Sequence, residues 1–222
     1  MNRTIICLAN SRKKAAHCVA GKDAESNCWI RPVSHRTSHE ITKDQCKYSD
    51  GRMPQPFDII HIPFKELTVH GHQPENMFIE ETLCWEKVGS IQYSDLQNLL
   101  DEEPLPWANN HSTNGKSNDR VPVKLLRPEH GSLRLIFVDT VMLKVESRTF
   151  PGSAMEKKIL RADFQHYVTH YCIDVTDPVI EKRYLQIGTG EFTLVNAYLC
   201  ISLGEVFGPF AYKLAAGIFT GE

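Results

Sequence analysis

Leu133 to Val145 reads LRLIFVDTVMLKV, a long, β-branched and roughly alternating run of the kind that bends around a small barrel. Arg148 to Met155 follows as a loop with Pro151-Gly152 as its turn signal. Lys158 to Gln165 and Val168 to Val175 are then predicted strands, joined tightly around His166-Tyr167. Thr176-Asp177-Pro178 opens a helix, because Asp177 can cap it and Pro178 suits its first position. Val179, Ile180 and Tyr184 supply its apolar face. Ala197 to Leu203 and Tyr212 to Phe219 are the last two strands, with a turn region from Gly204 to Pro209. Three strands, a helix and two strands, opening on a long first strand, is the element order of an OB-fold.

The N-terminal part reads the same way. Thr4 to Ser34 holds three short apolar runs, Ile5 to Ala9, Cys18 to Ala20 and Trp29 to Val33. Each stops at a polar or basic cluster: Ser11-Arg12-Lys13-Lys14, Gly21-Lys22, and Ser34-His35-Arg36. A polar segment from His35 to Met53, a strand from Asp58 to Phe64 and a further strand pair between Met77 and Val88 follow. Ser94 to Asp101 is expected as a short helix capped by Ser94. Glu102 to Arg120, with little periodicity, reads as a linker or long surface loop. The expected architecture is mainly β: two small OB-like β-barrels in tandem with a few short helices. Residues 1–95 form the first, 96–130 a short helix and polar linker, and 131–222 the second.

Composition narrows the function classes. Among 222 residues, 41% are hydrophobic and 23% charged, as in a soluble globular protein. No apolar run is long enough for a membrane span, and Met1 to Asn10 is too short for a signal peptide. The expectation is a cytoplasmic protein with no membrane partner. Seven cysteines without a C-x-x-C pair point to reduced, structural thiols. The net charge of −2 hides an asymmetry. Residues 1–65 carry eleven Lys and Arg against six Asp and Glu, and residues 66–130 carry five against eleven. A basic first block fits a phosphate surface, whereas the acidic middle argues against coating a duplex all round.

CLANSRK at Cys7, HCVAGK at His17 and WIRPVS at Trp29 resemble the opening of a bacterial family named for a dual OB-containing domain. HGHQPEN at His70 to Asn76, YLCISLGE at Tyr198 and YKLAAG at Tyr212 extend the resemblance over nearly the whole chain. It implies tandem OB barrels and a connection to nucleic acid or nucleotides, and no particular activity.

Two clusters carry the candidate chemistry. Ser11, Arg12, Lys13 and Lys14 fall in the loop between the first two strands, one of the ligand-gripping loops of an OB-fold. Trp29, Arg31 and Val33 share one face of the third strand, where Trp beside Arg suits base stacking and a phosphate contact. Lys22, Ser34 and Arg36 complete this expected nucleic-acid or phosphate surface. The second cluster is polar: His70, His72, Gln73, Glu75 and Asn76. His-x-His on a strand would put both imidazoles on one face, but no third ligand has diagnostic spacing. A hydrogen-bonding corner that pins the barrel is the expected role, with no metal and no cofactor. Nucleophile-elbow and P-loop patterns are missing, and no catalytic residue is assigned. The leading expectation is a non-catalytic protein that binds single-stranded DNA or RNA through the first barrel. The second barrel is a platform or a dock for a protein partner. Two alternatives stay open: a sensor or enzyme for a nucleotide-sized phosphate ligand, and an interaction module of a bacterial defence or conflict system.

Overall fold

The alternating runs do become strands, and the strands close into barrels. The computed structural model describes residues 1–13, 16–37, 39–101, 103–149 and 156–221. They form two compact units, Met1–Leu100 with Arg127–Leu135, and Asp101–Leu126 with Ile136–Glu222.

In the first unit the strands are β1 (Asn2–Lys13), β2 (Ala16–Asp23), β3 (Trp29–Val33), β4 (Asp58–Leu67), β5 (Asn76–Ile79) and β6 (Glu86–Ser90). Their pairings run β1-β2-β3-β5-β4, and β4 returns to β1 to close the ring. β3 and β5 are parallel and the other pairs antiparallel, which is OB topology. The expected strand pair between Met77 and Val88 exists as β5 and β6, but the two do not pair with one another: both pair with β4. β4 alternates buried and half-buried residues from Asp58 to Phe64, sending Ile60, Ile62 and Phe64 into the core with Ile5, Val19, Ile30 and Ile79. A register shift between Cys7 and Ala9 bends the twelve-residue β1 around that core. The segment from His35 to Met53 hides a short helix, α1 (Lys43–Cys46), started by a capping box. The Thr42 hydroxyl accepts from Gln45 N, and the Gln45 carboxamide accepts from Thr42 N. The expected helix at Ser94 is a 3-10 turn over Tyr93–Leu99. Ser94 does not cap it: the Asp95 carboxylate accepts from Gln92 N at 2.8 Å, so the turn begins earlier.

In the second unit, β8 (Leu133–Thr149), β9 (Glu156–His166), β10 (Thr169–Val175), α2 (Pro178–Ile187), β11 (Gly190–Phe207) and β12 (Phe210–Phe219) follow in order. β7 (Arg120–Pro122) adds to β12. The ring β8-β9-β10-β12-β11 closes through a parallel β10–β12 pair. Asp177 caps α2 by accepting from Val179 N and Ile180 N at 2.9 and 3.2 Å. Its second oxygen accepts from Ile218 N at 3.1 Å, which ties the helix start to β12. The turn expected from Gly204 to Pro209 is shorter, because β11 runs on to Phe207 and only Gly208-Pro209 reverse the chain. Most of the loop expected after Arg148 lies outside the described residues. Residues 101–126, expected as linker, are built into this unit: Leu105 and Trp107 sit in its core and β7 extends its sheet. None of the described helices is long and apolar enough to cross a membrane.

Candidate functional site

Lys22 and Trp29 face each other across β2 and β3, one step from the Gly21–Ile30 pair. Ile30 points into the core, so Trp29 and Arg31 project from the outer face of β3. Gly21 is required here, since a Cβ would collide with the Ile6 carbonyl oxygen of β1. The expected surface cations on this face are not on the surface. Lys22 is 2% and Arg31 4% exposed. Lys22 Nζ lies 5.4 Å from the Trp29 ring centroid. Arg31 is held at the entry to β5, the neighbouring parallel strand. Its Nη1 lies 3.2 Å from Glu75 Oε1 and 3.4 Å from Asn76 Oδ1, and its backbone N donates to Glu75 O at 2.8 Å. Ser132 also donates to Glu75 Oε1. Arg31 is therefore a buried structural cation, balanced by a carboxylate, and its burial corrects the expected phosphate contact.

Ser11 and Ser34 are also buried and engaged. Ser11 Oγ points at the Cys18 carbonyl at 3.5 Å; Ser34 Oγ donates to Glu40 O at 2.6 Å and accepts from Arg36 N at 3.2 Å. Arg36 is exposed. Arg12 and Lys13 are the last two residues of β1, opposite His17 and Ala16. Their side chains, and the whole of Lys14, lie outside the described residues.

The polar cluster forms the connection from β4 to β5, the second ligand-gripping loop of an OB-fold. It is a turn rather than a strand: His70 and Gln73 bridge across Gly71, whose φ is 57°. His70 is exposed, with its ring centroid 4.6 Å from that of His39 in an edge-on arrangement, whereas His72 and Gln73 are buried. The expected common face for the two imidazoles is lost with the strand. Asn76 Nδ2 donates to Gln73 Oε1 at 3.4 Å and so joins this loop to the Arg31–Glu75 pair. Among the described residues, no three His, Cys, Asp or Glu side chains converge as a metal site would require.

Beside that pair lies an open cleft of about 400 Å³, lined by Trp29, Glu75, His130, Gly131 and Arg134. Its size falls in the range of small-ligand sites, roughly 300–1,000 Å³. Arg134 clamps one wall by donating to Leu133 O and His130 O at 2.6 and 2.7 Å. Gly131, with φ 60°, turns the chain after the 3-10 turn Pro128–His130. Glu75 Oε2 lies nearby: a Cβ on Gly131 would stand 3.9 Å from it. Sequence reasoning missed His130, Gly131 and Arg134, which fall at the end of the expected linker and the start of the long strand. The only signal there was the Pro128-to-Gly131 turn.

The second unit holds buried charge of another kind. On the outer face of its first three strands, Lys144 is paired in register with Arg161, and Lys144 Nζ lies 2.8 Å from Asp163 Oδ2. The chain from Asn109 to Asp119 covers this face, with Lys116 Nζ 2.5 Å from Asp174 Oδ2 and Arg161 Nη1 donating to Gly115 O at 2.6 Å. Lys213 Nζ donates to Ala108 O and Asn109 Oδ1 at 3.1 and 2.7 Å. Burial drives its ammonium down to about 7, although Asp119 pulls the other way. Burial pushes the Cys7 and Cys46 thiols up to about 12 and about 11, so neither is a thiolate nucleophile near neutrality. All seven cysteines are free thiols.

A family model described as the dual OB-containing domain matches residues 3–218. The chain belongs to that family. No curated protein and no solved structure matches it.

Proposed function

We propose that this dual OB-containing protein binds single-stranded nucleic acid along the outer face of its first barrel. The observation that carries the reading is Trp29, a partly exposed indole lining an open cleft beside the β4–β5 loop. Unstacked bases seek such a ring, and an OB-fold takes its strand between its β1–β2 and β4–β5 loops. Six residue steps of β2 separate Ala16, at the basic β1–β2 turn, from Lys22 beside Trp29. At about 3.3 Å per step this is roughly 20 Å. A ligand that meets both the cations and the indole is a polymer; a mononucleotide reaches one or the other. Phosphate contact falls to Arg12, Lys13, Lys14 and Arg36, since Lys22 and Arg31 are spent inside the fold. The role is non-catalytic binding in the cytoplasm.

The size of the cleft favours a second reading, a lone nucleotide as ligand. Fluorescence anisotropy of short DNA and RNA strands over a salt series separates the two. Polymer binding should weaken with salt, by a log–log slope of about −0.7 per neutralised phosphate. Replacing Arg12, Lys13 and Lys14 together by Ala should flatten that slope by about 2. Binding of mononucleotides as tight as that of octamers would shift the reading to the lone nucleotide. No binding at low salt would end both.

A further inference from the structure

We infer that the Trp29 cleft selects a nucleobase carrying an exocyclic amino group and rejects uracil and thymine, an inference that rests on the nucleic-acid reading above. The selecting group is Glu75. Its side chain is 5% exposed and its Oε1 already accepts from Ser132 and faces Arg31 Nη1. Among the described residues Oε2 accepts no hydrogen bond, and the residue lines the cleft beside Gly131. A carboxylate can only accept, so an oxygen aimed into a cleft without a donor calls for a ligand that brings one.

The local charge decides which kind of donor. Arg31 balances Glu75 at 3.2 Å, and Arg134 and Glu129 both line the cleft, so these four charges sum to zero. A cationic ligand gains little from such a site, and a neutral polar ring fits it. The depth of the acceptor decides the rest. An amino group protrudes from the base edge and reaches a recessed oxygen. The ring N–H of uracil or thymine sits between two carbonyl oxygens, which would meet the carboxylate first. Carboxylate acceptance from the cytosine amino group is an established mode of base readout. Beside it, Arg134 lines the same cleft, and the N–H groups it does not spend on the Leu133 and His130 carbonyls can donate to a ring nitrogen of such a base or to the cytosine carbonyl. Trp29 supplies the apolar wall on which the ring rests.

The test uses the intrinsic fluorescence of the full chain. Trp85 and Trp107 are 1% and 4% exposed, so a ligand in the cleft reports through Trp29. Cytidine and uridine RNA octamers are matched in ring size and differ at the amino position; adenosine and inosine octamers form a second such pair. The cytidine and adenosine octamers should bind about tenfold or more tighter than their partners, the worth of one hydrogen bond to a charged group. Glu75→Gln should bring each ratio below about threefold in protein whose melting curve shows it folded. If that variant does not fold, the wild-type ratios decide alone. Equal affinity within each pair overturns the inference and leaves nucleic-acid binding standing. If no octamer binds at low salt, that broader reading falls and takes the inference with it.

Discussion

Lys22 and Arg31 show how one residue's role depends on its neighbours. Each stands on the outer face of a strand, where the pleat alone would send it to water, and each is nearly inaccessible. Arg31 is tolerated because Asn76, the first residue of β5, and Glu75 just before it meet it. Removing one partner of a buried pair leaves the other charge uncompensated, so Glu75→Ala should cost about 3–5 kcal/mol of stability. Replacing both, as Arg31→Met with Glu75→Leu, should cost much less; urea unfolding of the two variants checks the contrast. Lys213 is the second residue whose setting overrides its chemistry. Its ordinary value is 10.5 and its folded value about 7. Between these limits the unfolded chain holds a proton that the folded chain lacks, so stability rises with pH. Around pH 8 the Lys213 contribution should approach about 1.4 kcal/mol per pH unit, and Lys213→Met should abolish it. Above the ordinary thiol value of 9.0 the trend reverses. There the unfolded chain loses the Cys7 and Cys46 protons that the folded chain keeps, and their contribution fades. His17 and His166, both lowered by burial, act below 6.5 and so leave the lysine window clear.

At the scale of elements, α2 was legible because its signals are local. Asp177 caps, Pro178 presets the first turn, and neither needs a distant partner. The cap has a tertiary duty as well, through Ile218 N. Asp177→Ala should therefore cost about 2–4 kcal/mol, more than a cap alone, and Asp177→Asn distinctly less. Thermal melts of the two variants decide it. The segment 101–126 was illegible for the opposite reason. It lacks periodicity, yet Leu105 and Trp107 are 5% and 4% exposed and belong to the core of the second barrel. Trp107→Ala should cost about 3–5 kcal/mol, as for a large core aromatic and unlike a linker residue. Loss of the cooperative transition in near-ultraviolet dichroism would report the damage.

Over the whole molecule, charge is divided between surface and interior in a way that totals conceal. The basic first block owes part of its excess to Lys22 and Arg31, which are buried, so its outward field is weaker than its count of cations suggests. In the proposed binding mode the phosphate contacts fall to Arg12, Lys13, Lys14 and Arg36. Raising salt from 50 to 200 mM should therefore weaken single-strand binding by about twentyfold for three or so phosphate contacts, rather than by the thousandfold or more of extensive backbone binders. Anisotropy at the two salt concentrations measures this directly.

The sequence by itself determined the ten strands of the two rings, their order, the capped helix and the dual OB architecture, because period-two alternation, turn residues and caps act over a few neighbours; the added β7 was not among them. The two loop clusters that flank an OB binding face were also readable, since chain order places them. Only the tertiary structure decided which side chains on that face remain available. Glu75 comes to Arg31 from forty-four residues away, and Ser132 reaches Glu75 across fifty-seven. Alternation says which face of a strand a residue occupies; it carries no information about what later packs over that face. A cation's fate turns on that cover, because low dielectric and a facing carboxylate convert a solvated contact into an internal tie.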